Sequence, residues 1–73
     1  MNSADPALTV LLNGQPRLVA DGTTVAGLLE NLGLTAGHVA VEVNLELVPR
    51  AAHAQQSLAD GDRIEIVTLV GGG

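Results

Sequence analysis

The sequence predicts an α+β domain in which a single helix covers one face of a mixed, four- to five-stranded sheet. Three observations predict this class. Several short segments alternate apolar and polar residues, as half-buried strands do. One segment, 25–32, instead repeats its apolar residues at helical spacing. Finally, 73 residues are enough for one small domain and leave no room for a second.

The first two strands are predicted to form a hairpin. Residues 8–13, LTVLLN, alternate as a strand, and residues 16–20, PRLVA, return. Between them lies Asn13-Gly14, a strong hairpin signal because both residues tolerate positive φ. Pro16 stands at the first position of the returning strand, where a missing N–H does least harm.

The helix is bounded by its own start and stop signals. Thr23 or Thr24 is expected to cap the first free N–H groups, and Gly33 is placed as a C-terminal stop. Gly27 lies inside the helix at a cost of about 1 kcal/mol relative to Ala, so we expect it to mark a close approach to the sheet. The apolar stripe consists of Val25, Leu28, Leu29 and Leu32.

The second half of the chain predicts three further strands. Residues 39–43 alternate, and residues 45–49 form a short strand that Pro49 ends. Residues 50–59 predict one loose helical turn, and Asp60-Gly61-Asp62 predicts a tight turn. The last strand covers residues 63–70. Its second half, VTLV, carries apolar residues on both faces of the strand. This pattern predicts an interior strand that is covered on both faces.

Composition excludes several classes of function. The chain has no Cys, so it has neither disulfides nor a thiolate metal site. Because it also has no aromatic residues, its core must be built from aliphatic side chains. A net charge of −5, with no Lys and no aromatic residues, disfavours nucleic-acid binding and favours a basic protein surface as partner. No stretch is long enough for a membrane span, and the N-terminus does not resemble a signal peptide. We therefore expect a cytoplasmic protein.

No active site is predicted within the chain, which is expected not to be an enzyme. His38 and His53 are far apart and have no ligand-like spacing, so no metal is expected. Ser3 and Ser57 lack a persuasive base and acid partner. No glycine-rich phosphate loop is present, and the carboxylates of the 60–62 segment suit a turn.

The run Gly71-Gly72-Gly73 is the remaining candidate for chemistry. We divide the chain into a loose leader (1–7), a folded domain (8–70) and a flexible glycine tail (71–73). Three residues reach roughly 10 Å beyond a fold when extended, and without Cβ atoms they can thread a narrow channel. The tail would deliver the Gly73 carboxylate into the active site of another enzyme. The alternative is a frayed, inert end.

Four stretches resemble a known family. They are LNG after the first strand, DGTTVAGLLENLGL, VAVEVNLELVPR and LADGDRIEIVTLVGGG. Together they resemble the sulfur carriers of thiamine biosynthesis, the ThiS family, within the ubiquitin-like β-grasp proteins. The resemblance covers nearly the whole chain after residue 7, and its most specific pieces are VPR at residues 48–50 and the ending EIVTLVGGG.

The resemblance implies a mechanism and a set of partners. An adenylating enzyme would use ATP to activate Gly73 as an acyl-adenylate. A sulfur donor, such as a cysteine desulfurase or a rhodanese-type protein, would convert it to a thiocarboxylate, and thiazole synthase would receive the sulfur. The chain would bind no cofactor itself. Gly71 and Gly72 would form the approach, while Leu69, Leu11 and Arg50 are the expected partner contacts. The alternatives are a core role for Leu69 and a surface ion pair or sheet-edge contact for Arg50.

Three other functions remain open from the sequence. The small subunit of molybdopterin synthase shares the fold and the thiocarboxylate. A ubiquitin-like modifier would form isopeptide bonds with lysines of other proteins. A plain protein-binding module with an inert tail would keep its function after Gly72 and Gly73 are removed, whereas a carrier would lose it.

Overall fold

The computed structural model of the chain describes residues 7–69, which form one mixed sheet and one α-helix. The sheet order is β2-β1-β5-β3-β4, with β1 and β5 parallel and the other neighbours antiparallel. The predicted α+β class and the mixed sheet are confirmed. The elements are β1 (Ala7–Leu12), β2 (Gln15–Ala20), α1 (Val25–Leu32), β3 (Val39–Val43), β4 (Glu46–Leu47) and β5 (Arg63–Thr68), with short 3-10 helices at Ala36–His38 and Arg50–Ala52.

The β1–β2 hairpin forms at the predicted turn. Asn13 and Gly14 have φ angles of 50° and 84°, and Leu12 pairs with Gln15 across the two-residue loop. Two consecutive positive φ values define the turn that matches the twist of paired strands, and Asn-Gly is the preferred pair for it. β1 begins at Ala7, one residue before the predicted start.

The helix begins and ends where its signals predict. The Thr24 hydroxyl accepts a hydrogen bond from the Gly27 N–H at 3.1 Å, and Gly33 closes the helix at φ 71°. The expectation that Gly27 marks a close approach to the sheet is wrong. A Cβ there would meet only side-chain atoms of Thr23 and Thr24, at 3.5 Å, which is ordinary contact.

The core lies between α1 and the inner face of the sheet, meaning the face turned toward the helix. Every buried hydrophobic side chain in it is a Val, Leu or Ile, as the composition requires. The residues with no measurable exposure are Val10, Val25, Leu28, Val41 and Ile64. They come from the helix and from three different strands, so loss of one large side chain would disturb the contacts of several elements at once.

The β3–β4 hairpin turns on residues that the sequence does not single out. Asn44 and Leu45 have φ angles of 54° and 72°, so both adopt the left-handed conformation. Asn tolerates this conformation, whereas a leucine is strained in it. Leu45 is also 74% exposed, so its side chain gains little from packing. β4 contains only Glu46–Leu47, shorter than the predicted 45–49.

Replacement of Leu45 by Gly is therefore expected to stabilise the domain by about 0.5–1 kcal/mol, because Gly adopts positive φ without the steric cost that Leu has. Urea unfolding would measure the change. Leu18→Gly is the matched control, since Leu18 is similarly exposed but lies in the extended β2. That variant should lose stability, and equal losses in both would contradict the assignment of strain to Leu45.

Two asparagine side chains hold β5 on its two sides. Asn13 accepts the Ile66 N–H at 2.9 Å and donates to the Ile66 carbonyl at 3.3 Å. Asn44 accepts the Arg63 N–H at 2.9 Å through its side chain. Each side-chain amide thus takes the place of a backbone peptide group at the end of a neighbouring strand. Backbone groups of β5 are therefore hydrogen-bonded beyond the point where the neighbouring strand ends.

Candidate functional site

The end of β5 is the point from which the glycine run continues. The Leu69 N–H donates to the His38 carbonyl at 2.8 Å, one residue beyond the end of the strand. Pairing with the β3 side therefore holds the backbone as far as Leu69. The predicted modification site, Gly73, and its approach, Gly71 and Gly72, lie outside the described residues.

The outer face of the sheet, turned away from α1, carries exposed apolar side chains near this end. Val67 is 59% and Leu69 54% exposed, and Val67 lies opposite Ala40 of β3. The prediction that the VTLV segment is covered on both faces is therefore wrong for Val67 and Leu69. The alternative core role for Leu69 also does not hold. Val67 and Leu69 therefore offer a small apolar surface next to the end of β5.

Leu11, the second predicted contact, lies on the same face but not in the same place. It is 38% exposed and pairs in register with Arg63, six residues before Leu69 along β5. Six residues of strand span roughly 20 Å, so Leu11 and Leu69 are not neighbours. A partner would have to cover most of the outer face to touch both. Val67, which the sequence analysis did not name, is the nearer companion of Leu69.

Two carboxylates face each other across the sheet on this same surface. Glu42 of β3 pairs in register with Glu65 of β5, two residues before Val67. Like charges directly opposite each other destabilise a sheet. The arrangement places concentrated negative charge beside the exposed apolar pair, in a chain whose net charge is −5. The surface is thus complementary to an apolar protein surface with an adjacent basic side chain.

Arg50, the third predicted contact, lies away from the outer face. It lines a groove of about 320 Å³ with residues of α1 and with Ala36. A Cβ added to Gly37 would lie 2.7 Å from an Arg50 guanidinium nitrogen, so the guanidinium lies against the backbone of Gly37. Gly37 precedes His38, whose carbonyl receives Leu69, so the Arg50 guanidinium lies toward the end of the molecule where β5 ends.

The two histidines are not brought together. His53 is buried, and its Nε2 lies 3.1 Å from the Val48 carbonyl, so in the neutral ring Nε2–H donates to that carbonyl. Its Nδ1 has no hydrogen-bond partner among residues 7–69. His38 is exposed and adjoins β3. The arrangement gives His53 a place in the core and forms no acid–base pair.

The prediction that the carboxylates of the 60–62 segment serve the turn is confirmed for Asp62, whereas Asp60 bonds to β1 instead. Asp60 accepts the Thr9 N–H at 2.8 Å, and Asp62 accepts the Ala59 N–H at 2.8 Å and the Asn44 side-chain amide at 3.0 Å. Across the described part of the chain, no group of three or more His, Asp or Glu residues could hold a metal ion. None of the helices within residues 7–69 has the length and apolarity needed to cross a membrane.

Comparison with known proteins decides the family. The sequence profile of the ThiS family matches residues 10–73, which include the whole glycine run. The chain belongs to the ThiS family. The crystal structure of the thiamine biosynthesis protein ThiS from Geobacter metallireducens superposes with a TM-score of 0.78 at 35% identity, covering 90% of this chain and all of that one. The β-grasp fold expected from the resemblance is thereby confirmed.

Two kinds of curated relatives match this ThiS-family chain. The sulfur carrier protein ThiS of Escherichia coli is 36% identical over 66 residues, which cover 90% of this chain and 100% of that protein. The thiazole synthase of Paramagnetospirillum magneticum is 44% identical over 66 residues. The chain spans only about one fifth of the length of that synthase, since the match covers 20% of it.

Proposed function

We propose that this chain is a sulfur carrier of thiamine biosynthesis and that the carboxylate of Gly73 carries the sulfur. The observation that supports the proposal most is the ThiS-family match, which runs through the glycine run to residue 73. The sulfur carrier protein ThiS of Escherichia coli, matched over its full length, supports the same function. The chain would act as a co-substrate of other enzymes and would contribute no catalytic residue.

The proposed chemistry has three steps. The Gly73 carboxylate attacks the α-phosphate of ATP in an adenylating enzyme, which gives an acyl-adenylate and releases pyrophosphate. The persulfide of a sulfur donor then displaces AMP from the acyl carbon and forms an acyl disulfide. A thiol of the donor system reduces the sulfur–sulfur bond, which releases the thiocarboxylate and leaves a disulfide on the donor system. Thiazole synthase receives that sulfur, and the carboxylate is regenerated when water replaces the sulfur at the acyl carbon. ATP is bound by the adenylating enzyme, and this chain binds no cofactor.

The fold contributes a defined starting point for the tail. β5 is held by the Asn13 amide on one side and by the His38 carbonyl on the other, up to Leu69. A carboxylate four residues beyond a fixed anchor has a bounded reach, roughly 13 Å when fully extended. The active site that receives it must therefore lie close to the surface on which the domain docks.

The expected partners follow from this chemistry and this surface. They are an adenylating enzyme, a sulfur donor of the cysteine desulfurase or rhodanese type, and thiazole synthase. The similarity of this chain to part of a thiazole synthase supports the last of these. Val67 and Leu69 supply the apolar contact, and Glu42 and Glu65 favour a basic neighbour. Arg50 remains a proposed contact at the same end. We place the reaction in the cytoplasm.

The proposal is tested by ATP–pyrophosphate exchange. The purified chain and its adenylating partner are mixed with ATP and labelled pyrophosphate, since reversal of acyl-adenylate formation returns the label to ATP. We expect exchange only when both proteins are present. Exchange by the partner without this chain, or none with both, would contradict the proposed function.

Leu69→Ser is expected to weaken binding to the adenylating enzyme by about tenfold, because burial of one leucine contributes more than 1.4 kcal/mol. Calorimetric titration would give the Kd. Leu45→Ser is the matched control, since Leu45 is also an exposed leucine but lies in the β3–β4 turn. Equal losses for both variants would show that the end of β5 is not the contact.

A further inference from the structure

The polar backbone groups of β5 alternate between its two neighbours. The Leu69 N–H reaches the His38 carbonyl on the β3 side, and the Asn44 N–H reaches the Arg63 carbonyl at 2.7 Å on the same side. On the β1 side, the Asn13 N–H reaches the Ile64 carbonyl at 2.8 Å. Even-numbered residues of β5 therefore direct their N–H and carbonyl groups toward β1.

β1 ends before β5 does. Its register with β5 stops at Leu12 opposite Ile64, and the Asn13 side chain completes both backbone bonds of Ile66. The next residue facing this side is Thr68, which is exposed. Within the described residues, nothing bonds to the Thr68 N–H or carbonyl on this side. The space beside Thr68 is thus an open strand position in the middle of a sheet.

A groove adjoins this open position. It has a volume of about 310 Å³ and an apolar floor from the end of α1 and from β5. That volume is at the lower limit for small-molecule pockets, and it is large enough for a bulky apolar side chain. Its lining residues are Leu12, Asn13, Leu32, Leu34, Ile66 and Thr68. Leu32, Leu34 and Ile66 are all only partly buried by the domain itself.

We infer that an extended segment of the adenylating enzyme adds here as a short strand. This inference rests on the proposed function. The segment would pair with the Thr68 N–H and carbonyl and place one apolar side chain in the groove beside Leu32 and Ile66. An extended backbone fits because the free groups are those of a strand, spaced for peptide partners, with a side-chain pocket alongside. A small ligand would not need the strand geometry.

The Asn13 side chain limits where the added strand can begin. Because Asn13 already occupies the position beside Ile66, the segment can extend only from Thr68 onward, alongside the residues that lead to Gly73. Pairing there would align the glycine run with the active site that receives it. The inferred contact would therefore position the carboxylate as well as bind the domain.

Amide hydrogen exchange of the unaltered protein tests the inference first. The Thr68 N–H is expected to exchange rapidly in the free domain and at least about tenfold more slowly when the adenylating enzyme is bound, as for an amide paired in a strand. Unchanged exchange at Thr68 in a saturated complex would overturn the inference. Protection that grows with concentration of the free domain would overturn it too, in favour of pairing between two copies.

Thr68→Pro removes the N–H that faces the open position and leaves the bonds to β3 in place, so the domain is expected to fold. Thr68→Ala is the control, because it keeps the N–H. We expect Thr68→Pro to weaken binding of the adenylating enzyme by about five- to tenfold and Thr68→Ala by less than about twofold. Equal affinities of two folded variants would overturn the inference.

The same samples separate this inference from the proposed function. If the unaltered chain supports pyrophosphate exchange while Thr68 stays unprotected, only the strand addition fails. If the unaltered chain supports no exchange with an active partner, the proposed function fails, and the inference fails with it.

Discussion

Removal of Gly73 is expected to abolish adenylation of the chain, with exchange of pyrophosphate into ATP falling at least about 100-fold. Deletion would leave the carboxylate on Gly72, one residue or about 3.5 Å short of its proposed position. A displacement of only 1 Å at a reacting centre can cost about 100-fold in rate. Addition of one glycine after Gly73 moves the carboxylate the other way and should have the same effect.

Deletion of Ser3 is the control for this experiment, since it shortens the chain by one residue without altering the glycine run. We expect the rate of pyrophosphate exchange with that variant to remain within about twofold of the rate with the unaltered chain. A twofold change corresponds to much less than the 1.4 kcal/mol of a tenfold change. If the chain lacking Gly73 is adenylated at the normal rate, the terminal carboxylate does not carry the chemistry. The carrier proposal would then have to be abandoned.

Leu28→Ala is expected to cause the largest loss of stability, about 3 kcal/mol within the usual range of 2–5. Leu28 is fully buried between α1 and the inner face of the sheet. Ala is the best helix former, so the change isolates the loss of packing from any loss of helix propensity. For a domain of this size the midpoint of thermal unfolding should fall by roughly 12–24 °C.

Asn31→Ala is the matched control on the same helix, because Asn31 is exposed. Its thermal midpoint should change by no more than a few degrees. Thermal unfolding followed by circular dichroism measures both variants. If Leu28→Ala lost less than about 1 kcal/mol, the side chain would not be packed as the structure has it.

Local signals in the sequence were sufficient for the helix and the first hairpin. The Thr24 cap, the Gly33 stop and the Asn13-Gly14 turn each depend on the conformational preferences of one or two residues, and the structure shows all three. The α+β class followed because one amphipathic helix must cover one face of a sheet. The cap, the stop and the turn are determined within a few residues and need no knowledge of distant neighbours.

The exposure of Val67 and Leu69 could not be predicted in this way. The amino-acid pattern of an apolar strand is the same whether its second face is covered by the rest of the chain or exposed on the surface. In this fold α1 covers the inner face, and nothing within residues 7–69 covers the outer face at Val67 and Leu69. The difference depends on the number of layers in the domain, which a single strand does not encode.

The side-chain hydrogen bonds that hold β5 also could not be predicted from short sequence patterns. Asn13 was identified as a turn residue, but its bonds to Ile66 join positions 53 residues apart in the chain. Leu45 has no feature that predicts positive φ, since leucine rarely adopts it. Likewise, the separation of Leu11 from Leu69 depends on the parallel register of β1 with β5. The proposed role of Gly73 came from the chemistry of a free carboxylate and from the family resemblance.

Thiol-directed alkylation tests the central claim most directly. The chain would be incubated with ATP, the adenylating enzyme and a sulfur source, treated with an alkylating reagent and mapped by mass spectrometry. Since the chain has no Cys, no side-chain thiol can give the same signal. We predict a single alkyl group located at Gly73. Absence of alkylation in the presence of a partner that is shown to be active would contradict the sulfur-carrier function.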